Sequence, residues 1–368
     1  MGSQIMSSTV LFVSYTGQIS GAETMMLDVV GEAQRAGMRT VVACPSGPLA
    51  EALPHGCTHV PIPELSLGGA TGVARGIAAA RLLGRWISAA ATLRPLARVP
   101  GTATVVNSVF ALPALRLARP PDGIAWLVHD AMTNGQQRMV ITASRAVVRI
   151  AVACTQAAAA PVRELGIEVR VVPYGVRVTA ARPPGPALAP PVVGMLALVT
   201  PWKGHQVALE ACSRLGDVVL EFAGGSFPGD AGYVADLQER AGRPDLAGRV
   251  RFLGHVDPGS VMARWDVMVS ASVSPEAGPL SVLEAMSCGL PVIATDHGGP
   301  TEFLRDGVGV LVPPGDPDAL AAAIKSVLAD DILRRRMSAR GRERIAAEHD
   351  IAVTLPALLG ALTGGPRG

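Results

Sequence analysis

The sequence predicts an α/β protein made of two domains, each built on a parallel β-sheet. The chain has 368 residues, which is enough for two hydrophobic cores. Short apolar segments such as STVLFVS at 8–14 alternate with glycine-containing loops and helix-like segments, as in parallel α/β units. A proline-rich stretch near the middle of the chain interrupts this alternation. We therefore expect an N-terminal domain over 1–176, a linker over 177–191 and a C-terminal domain over 192–345.

The composition favours a globular protein that binds small molecules. Hydrophobic residues make up 49% of the chain and charged residues 17%, which excludes a disordered or fibrous class. A net charge of +2 and 4% aromatic residues give no support for a nucleic-acid partner. No uninterrupted apolar run approaches the length of a membrane-spanning helix. The five cysteines are scattered, with no C-x-x-C pair, so we expect reduced thiols in a cytoplasmic protein with no bound metal.

In the N-terminal domain, several apolar segments end in residues suited to a ligand site. STVLFVS leads into a loop that contains Gly21 and then into a helix. TATVVNS ends with Asn107 and Ser108, and IAWLVHD brings His129 directly after a strand. Ligands bind at the carboxyl ends of parallel strands, so these side chains are expected at the rim of a site. A purely structural histidine remains the alternative for His129.

An Ala/Arg-rich stretch over 70–99 predicts a long helix. Its arginines Arg75, Arg81 and Arg85 indicate a solvated face. A face that docks an acceptor or touches a membrane surface is the alternative reading of the same residues.

The segment from 272 to 302 carries the strongest chemical pattern. Glu276 precedes a helix whose first position suits Pro279, and Glu284 lies about one turn inside it, roughly 6–8 Å further along the axis at 1.5 Å per residue. Free backbone N–H groups and the positive end of the helix dipole lie between them, which favours an anion there. An anion between two carboxylates fits a diphosphate that has a hydroxyl-rich ring on either side.

The pattern Glu-x7-Glu, followed by A-M-x-x-G-x-P-V-I-A-T and a Gly-Gly turn, resembles the donor-site signature of family 4 retaining glycosyltransferases. The resemblance implies the GT-B fold, in which two Rossmann-like domains face each other across a cleft. The C-terminal helix, here 346–368, is then expected to cross back to the N-terminal domain. It also implies that Glu276 holds the transferred sugar and Glu284 the nucleotide ribose.

Other matches to the family extend the expected donor site. Lys203, in W-K-G, corresponds to a lysine that binds the donor diphosphate, and it is one of only two lysines, with Lys325. Glycines at the donor are matched by Gly21 and Gly224, and His129 matches a histidine that contacts the donor sugar. Around the helix start, the expected donor-binding positions are Gly278 and the backbone N–H groups of Leu280 and Ser281.

Five positions depart from the family pattern, one of them Gly278, where the family usually has phenylalanine. Leu198 stands where a phosphate-binding arginine is usual, and Pro279 replaces a residue that has a backbone N–H. Ser20 replaces the first glycine of a G-G-A-E loop, and Tyr174 replaces an asparagine. Loss of one charge-assisted bond to phosphate costs about 1.5–3 kcal/mol. The two changes at the phosphate site leave the donor or the activity in doubt.

The expected function is metal-independent, retaining transfer of a sugar from a nucleoside-diphosphate sugar to an acceptor hydroxyl or amine. The catalytic candidates are His129, Lys203 and Glu276, with no cofactor beyond the donor substrate. The acceptor is a small molecule or glycan, by analogy in natural-product or polysaccharide biosynthesis. Two alternatives are a relative that binds nucleotide sugar without transfer and a GT-B nucleotide-sugar epimerase.

Overall fold

A computed structural model describes residues 8–66, 72–132, 135–179 and 189–364. Part of the predicted linker, 180–188, lies outside these ranges, as does the side chain of Arg75. In the described ranges, no helix is long and apolar enough to cross a bilayer. The five cysteines all lie in these ranges and none forms a disulfide.

The described residues form strands and helices that alternate along most of the chain. The strands are β1 (Thr9–Val13), β2 (Arg39–Cys44), β3 (Thr58–Pro61), β4 (Thr102–Val106), β5 (Ile124–Val128), β6 (Val148–Ala153), β7 (Val169–Val171), β8 (Val192–Leu196), β9 (Val219–Ala223), β10 (Val250–Gly254), β11 (Val267–Ser270), β12 (Val292–Thr295) and β13 (Val310–Val312). The helices are α1 (Gly21–Arg35), α2 (Pro48–Glu51), α3 (Gly72–Ala97), α4 (Leu112–Ala118), α5 (Gly135–Ser144), α6 (Gln156–Arg163), α7 (His205–Ser213), α8 (Ala231–Ala241), α9 (Pro258–Met262), α10 (Leu280–Ser287), α11 (Gly299–Phe303), α12 (Pro317–Ala329), α13 (Asp331–Glu348) and α14 (Ile351–Thr363).

Two compact units divide the chain. The first consists of 1–174 together with 353–368, and the second of 175–352. The segment that contains most of α14 therefore belongs to the first unit, although the whole second unit precedes it in the sequence.

Each unit contains one parallel sheet, and the two sheets share a strand order. The first sheet runs β3-β2-β1-β4-β5-β6-β7 and the second β10-β9-β8-β11-β12-β13. The central strands are buried along nearly their whole length, as β1 and β5 show. Such continuous apolar strands are typical of parallel sheets covered by helices on both faces. The order reverses between β1 and β4 and between β8 and β11, which are the points where doubly wound sheets bind ligands.

His205 begins α7 and is completely buried in the second unit. Neither of its ring nitrogens has a hydrogen-bond partner among the described residues, and its ring lies 4.9 Å from that of Phe222, centroid to centroid. Burial, with a smaller contribution from the charge on Lys203, lowers the pKa of His205 from 6.5 to about 4. The imidazole therefore remains neutral inside the folded protein at neutral pH.

We predict that His205 contributes to acid sensitivity. Its folded-state pKa lies below the unfolded value, so its contribution is complete above pH 6.5 and is lost as the pH falls toward 4. Between pH 7 and pH 4.5, the wild type should lose about 2 kcal/mol more unfolding free energy than His205→Leu. Urea unfolding at both pH values measures this difference, and equal losses in the two proteins would contradict the prediction.

Candidate functional site

Two loops meet at the switch point of the second sheet. Strands β8 and β11 are neighbours, and Val267 is paired with Val193. The segment after β8 carries Leu198 and Lys203, and the segment after β11 carries Glu276. Strand order thus brings together residues that lie 73 positions apart in the sequence.

Lys203 and Glu276 form an ion pair at this position. The Lys203 Nζ donates to Glu276 Oε2, and the two side chains are 15% and 8% exposed. The same Nζ lies 4.2 Å from the centroid of the Trp202 ring, within cation–π range. A lysine and a carboxylate that sequence analysis assigned to the donor diphosphate and to the sugar therefore neutralise each other here.

Ser272 holds the Glu276 carboxylate in place, and two further side chains bind the Ser272 backbone. Ser272 donates its hydroxyl to Glu276 Oε1. The Ser272 carbonyl in turn accepts bonds from Thr295 Oγ1 at 2.9 Å and His297 Nε2 at 2.8 Å. A carbonyl only accepts, so His297 carries its proton on Nε2. Sequence analysis missed these residues, although their position at the ends of β11 and β12 was a signal.

The Gly-Gly turn after β12 makes room for the Glu276 backbone. Gly298 has φ of 67°, and a Cβ there would lie 2.3 Å from the Glu276 carbonyl oxygen and 2.8 Å from its nitrogen. The N–H of Gly299 donates to the same carbonyl at 2.8 Å. Glycine is required at Gly298 by both its left-handed conformation and the lack of space.

Helix α10 begins at Leu280, four residues after Glu276. Pro279 is the N-cap of α10 and not its first helical residue, as the sequence had suggested, and it supplies no side-chain cap. Leu280 and Ser281 are the first two helical residues. Since the missing N–H of Pro279 lies outside the helix, the expected donors Leu280 and Ser281 keep theirs. Glu284 lies one turn further along and is half-buried. The arrangement places the positive end of α10 beside the loop that holds Glu276.

The predicted glycine at Gly224 supports the loop that leads to Lys203. Its φ is 139°, and a Cβ there would lie 2.0 Å from the Ala197 carbonyl oxygen. The N–H of Val199 donates to the carbonyl of Gly225 at 2.8 Å. Between these anchors, Leu198 is half-buried and brings no charge to the loop.

In the first unit, a chain of hydrogen bonds starts at Glu23, near the start of α1. Gly21 is the first residue of α1 and Ser20 its N-cap. Glu23 Oε2 accepts the Ser20 N–H at 3.2 Å and the Ser20 hydroxyl at 2.5 Å, while Oε1 accepts Asn107 Nδ2 at 3.3 Å. Burial raises the pKa of Glu23, and these hydrogen bonds oppose that rise. The motif S-x-x-E at 20–23 is a capping box that sequence analysis overlooked.

His129 continues the chain of bonds, with both ring nitrogens engaged. Its Nε2 lies 2.7 Å from Asn107 Oδ1, and its Nδ1 lies 2.8 Å from the Tyr174 hydroxyl oxygen. Asn107 Oδ1 only accepts, so Nε2 carries the proton, Nδ1 accepts, and Tyr174 is the donor. Burial lowers the pKa of His129 to about 3, which keeps the ring neutral. The predicted sugar contact by His129 would therefore require it to give up one of these bonds.

We predict that the Tyr174 hydroxyl stabilises the first unit through His129. Tyr174 is 3% exposed, so Tyr174→Phe should lower the unfolding free energy by about 1 kcal/mol, the typical worth of one hydrogen bond. A double-mutant cycle with His129→Ala measures the coupling between them. Tyr233→Phe is the control because its buried hydroxyl has no side-chain partner in the described ranges, so that change should cost less than Tyr174→Phe. A coupling free energy near zero would contradict the assigned donor.

The two groups of predicted residues are each assembled within one unit. Lys203 and Glu276 are in direct contact, with Leu280, Ser281, Glu284, Gly224 and Gly278 on adjoining segments of the second unit. Gly21 and His129 belong to the first unit. Among the described residues, no cluster of three or more His, Cys, Asp or Glu side chains is placed to hold a metal ion.

Comparison with known proteins gives a family match over part of the chain. Residues 179–344, which include Lys203, Glu276 and Glu284, match the family model described as glycosyl transferases group 1. The similarity to this family lies in these residues, which make up slightly less than half of the chain. The resemblance to family 4 glycosyltransferases recognised in the sequence is thereby confirmed.

The curated relatives that this chain matches are named glycosyltransferases. The lipopolysaccharide core biosynthesis glycosyltransferase LpsE of Rhizobium meliloti is 34% identical over 193 residues, covering 52% of this chain and 55% of that protein. The D-inositol 3-phosphate glycosyltransferase of Mycobacterium marinum is 31% identical over 270 residues, covering 69% of this chain and 56% of that protein. The chain thus spans slightly more than half the length of these relatives.

A solved structure has a fold similar to that of this chain. HepE of Anabaena, crystallised in complex with UDP and glucose, matches with a TM-score of 0.80 at 20% identity, covering 97% of this chain and all of that one. Together with the two doubly wound sheets, this likeness confirms the predicted GT-B fold class.

Proposed function

We propose that the chain is a glycosyltransferase that moves a sugar from a nucleoside-diphosphate sugar to an acceptor hydroxyl or amine. The observation that carries this proposal is the contact between Lys203 and Glu276 at the switch point of the second sheet, beside the start of α10. One cation and two backbone N–H groups suit a diphosphate, and a held carboxylate suits sugar hydroxyls.

In the proposed reaction, the bond between the anomeric carbon and the phosphate oxygen breaks, and its electron pair stays on the diphosphate. Lys203 and the N–H groups of Leu280 and Ser281 stabilise the charge that develops there. Glu276 orients the sugar, Glu284 holds the ribose, and His129 contacts the sugar. The acceptor oxygen bonds to the anomeric carbon, and its proton passes to the leaving phosphate on the same face. This route retains the anomeric configuration and needs no metal ion.

The acceptor is proposed to be a glycan or a lipid-linked or small-molecule alcohol. The names of the relatives, a lipopolysaccharide core enzyme and an inositol phosphate enzyme, support this class. Helix α3 adds an exposed surface with Leu83 and Ile87, 53% and 55% exposed, beside Arg81 and Arg85. Apolar and basic side chains in this arrangement suit a peripheral contact with an anionic lipid or glycolipid acceptor.

One observation favours the second candidate function, binding of a nucleotide sugar without transfer. Leu198 leaves the loop after β8 without the cation that family members place there, so Lys203 is alone on its segment. Weaker stabilisation of the leaving group lowers the rate of transfer more than it lowers donor binding.

Two measurements test the proposal. A thermal-shift screen with UDP-, GDP- and dTDP-linked hexoses, in buffer containing EDTA, should raise Tm for at least one donor. Release of the diphosphate is then followed with that donor and an acceptor library. Release that depends on acceptor supports transfer, whereas a Tm shift without release supports the second candidate. No shift with any donor would contradict both, and isomerisation of the sugar without acceptor would indicate an epimerase.

A further inference from the structure

The Glu276 carboxylate, at the switch point, accepts few hydrogen bonds from the described residues. Its carboxylate accepts the Ser272 hydroxyl on one oxygen and Lys203 on the other, and it is 8% exposed. Among the ion pairs of the described residues, Lys203 is the one cation that reaches Glu276. A ligand that binds Lys203 and separates it from Glu276 therefore leaves the buried Glu276 carboxylate bonded to the Ser272 hydroxyl but without its cation.

A buried carboxylate that loses its cation is costly to leave unpaired. When the diphosphate of a nucleotide sugar recruits Lys203, the hydroxyls of the attached sugar can replace the lysine on Glu276. A free nucleoside diphosphate brings no such hydroxyls. It also adds negative charge at its terminal phosphate, close to Glu276, and like charges at this range repel each other strongly when they are partly buried.

We propose that the Lys203–Glu276 pair makes the site select the sugar-bearing donor over the free nucleoside diphosphate. The inference rests on the proposed function and adds to it a basis for specificity. Glu276 disfavours the reaction's own product for as long as no sugar covers its carboxylate. The same residue that orients the sugar thus promotes release of the diphosphate after transfer.

The decisive variant is Glu276→Gln. The amide has nearly the same shape, carries no charge and leaves Lys203 available for phosphate. Isothermal titration with UDP, GDP and dTDP, and with the corresponding hexose conjugates, gives Kd for product and donor in both proteins. We expect the variant to bind the free diphosphate about tenfold more tightly than the wild type, because one charge-assisted contact to phosphate is gained and one repulsion is lost. The hexose conjugate should bind no more tightly than before.

Glu284→Gln is the matched control because it removes one negative charge from the adjacent helix. It should weaken free diphosphate and hexose conjugate alike, since it is assigned to the ribose that both ligands contain. Ser272→Ala provides a second, independent variant that keeps the charge on Glu276. It removes the other hydrogen bond to the carboxylate, which then depends more on Lys203, so discrimination against the free diphosphate should increase.

The outcomes separate this inference from the proposed function. Tighter diphosphate binding in Glu276→Gln, but not in Glu284→Gln, supports the inference. Equal diphosphate affinity in Glu276→Gln and wild type, with the hexose conjugate still bound, overturns the inference and leaves the proposed function standing. If Glu276→Gln does not fold, unchanged or reduced discrimination in Ser272→Ala overturns it instead. Failure of every nucleotide to bind the wild type overturns both.

Discussion

Lys203→Met is expected to lower kcat by about 10²- to 10³-fold, the usual effect of removing one group that stabilises developing charge. Leu198 is uncharged, so no second cation on this loop compensates for the loss of Lys203 beside the phosphate position. The measurement is initial velocity of diphosphate release at saturating donor, using the donor found by the thermal-shift screen. Lys325→Met is the matched control because Lys325 is the other lysine of the chain and is exposed on α12. It should leave kcat unchanged.

A folding defect is the competing explanation for such a loss. Removing Lys203 leaves Glu276 as a buried unpaired carboxylate, which destabilises a protein by about 3–5 kcal/mol when a fully buried pair is broken and by less here, where both groups retain some exposure. The double variant Lys203→Met with Glu276→Gln removes that charge and should recover stability without recovering kcat. Full activity in the single variant would contradict the role of Lys203 in leaving-group stabilisation.

Gly298→Ala is expected to lower the unfolding free energy by about 3 kcal/mol and to weaken donor binding. The backbone of Gly298, with φ of 67° and ψ of −147°, costs a non-glycine residue about 1–3 kcal/mol, and the clash with the Glu276 carbonyl adds the cost of moving that loop. Displacement of Glu276 then disturbs its contact with Lys203. Urea unfolding and titration with the hexose conjugate measure the two effects.

Two other glycines separate the contributions in this prediction. Gly315 has φ of 73° and open space around its Cβ position, so Gly315→Ala should show the conformational cost alone. Gly232 lies in the first turn of α8 with open space and no positive φ, so Gly232→Ala should be neutral or slightly stabilising. If Gly298→Ala lowered the unfolding free energy no more than Gly315→Ala does, the close approach of residue 298 to Glu276 would contribute nothing to the loss of stability.

Much of the fold follows from local pattern. The apolar segments, the glycine turns and the helix start at Pro279 are short-range features, and the corresponding strands and α10 are present. The strand order is a long-range property that a single sequence does not encode in any local spacing. The pairing of β8 with β11, which joins Lys203 to Glu276, was accessible only through resemblance to a family.

The environment of His129 shows the limit of assigning roles to single residues from a family resemblance. Its position after β5 was readable from the sequence, and its assignment as a sugar contact remains a prediction. Its two bonds were not foreseen, because Asn107 and Tyr174 lie 22 and 45 positions away and the family has asparagine in place of Tyr174. A phenol reaches further than an amide and can donate to Nδ1, so this departure changes which ring atoms are available.

The placement of α14 has a consequence for biosynthesis. Its buried side chains include Leu358 and Leu362, and Arg149 Nη2 donates to the Leu362 carbonyl at 3.0 Å within the first unit. The ribosome therefore finishes the second unit before it delivers the last piece of the first. Until α14 emerges, the nascent first unit exposes the apolar surface that this helix will cover, so the first unit can be completed only after the whole second unit has been synthesised.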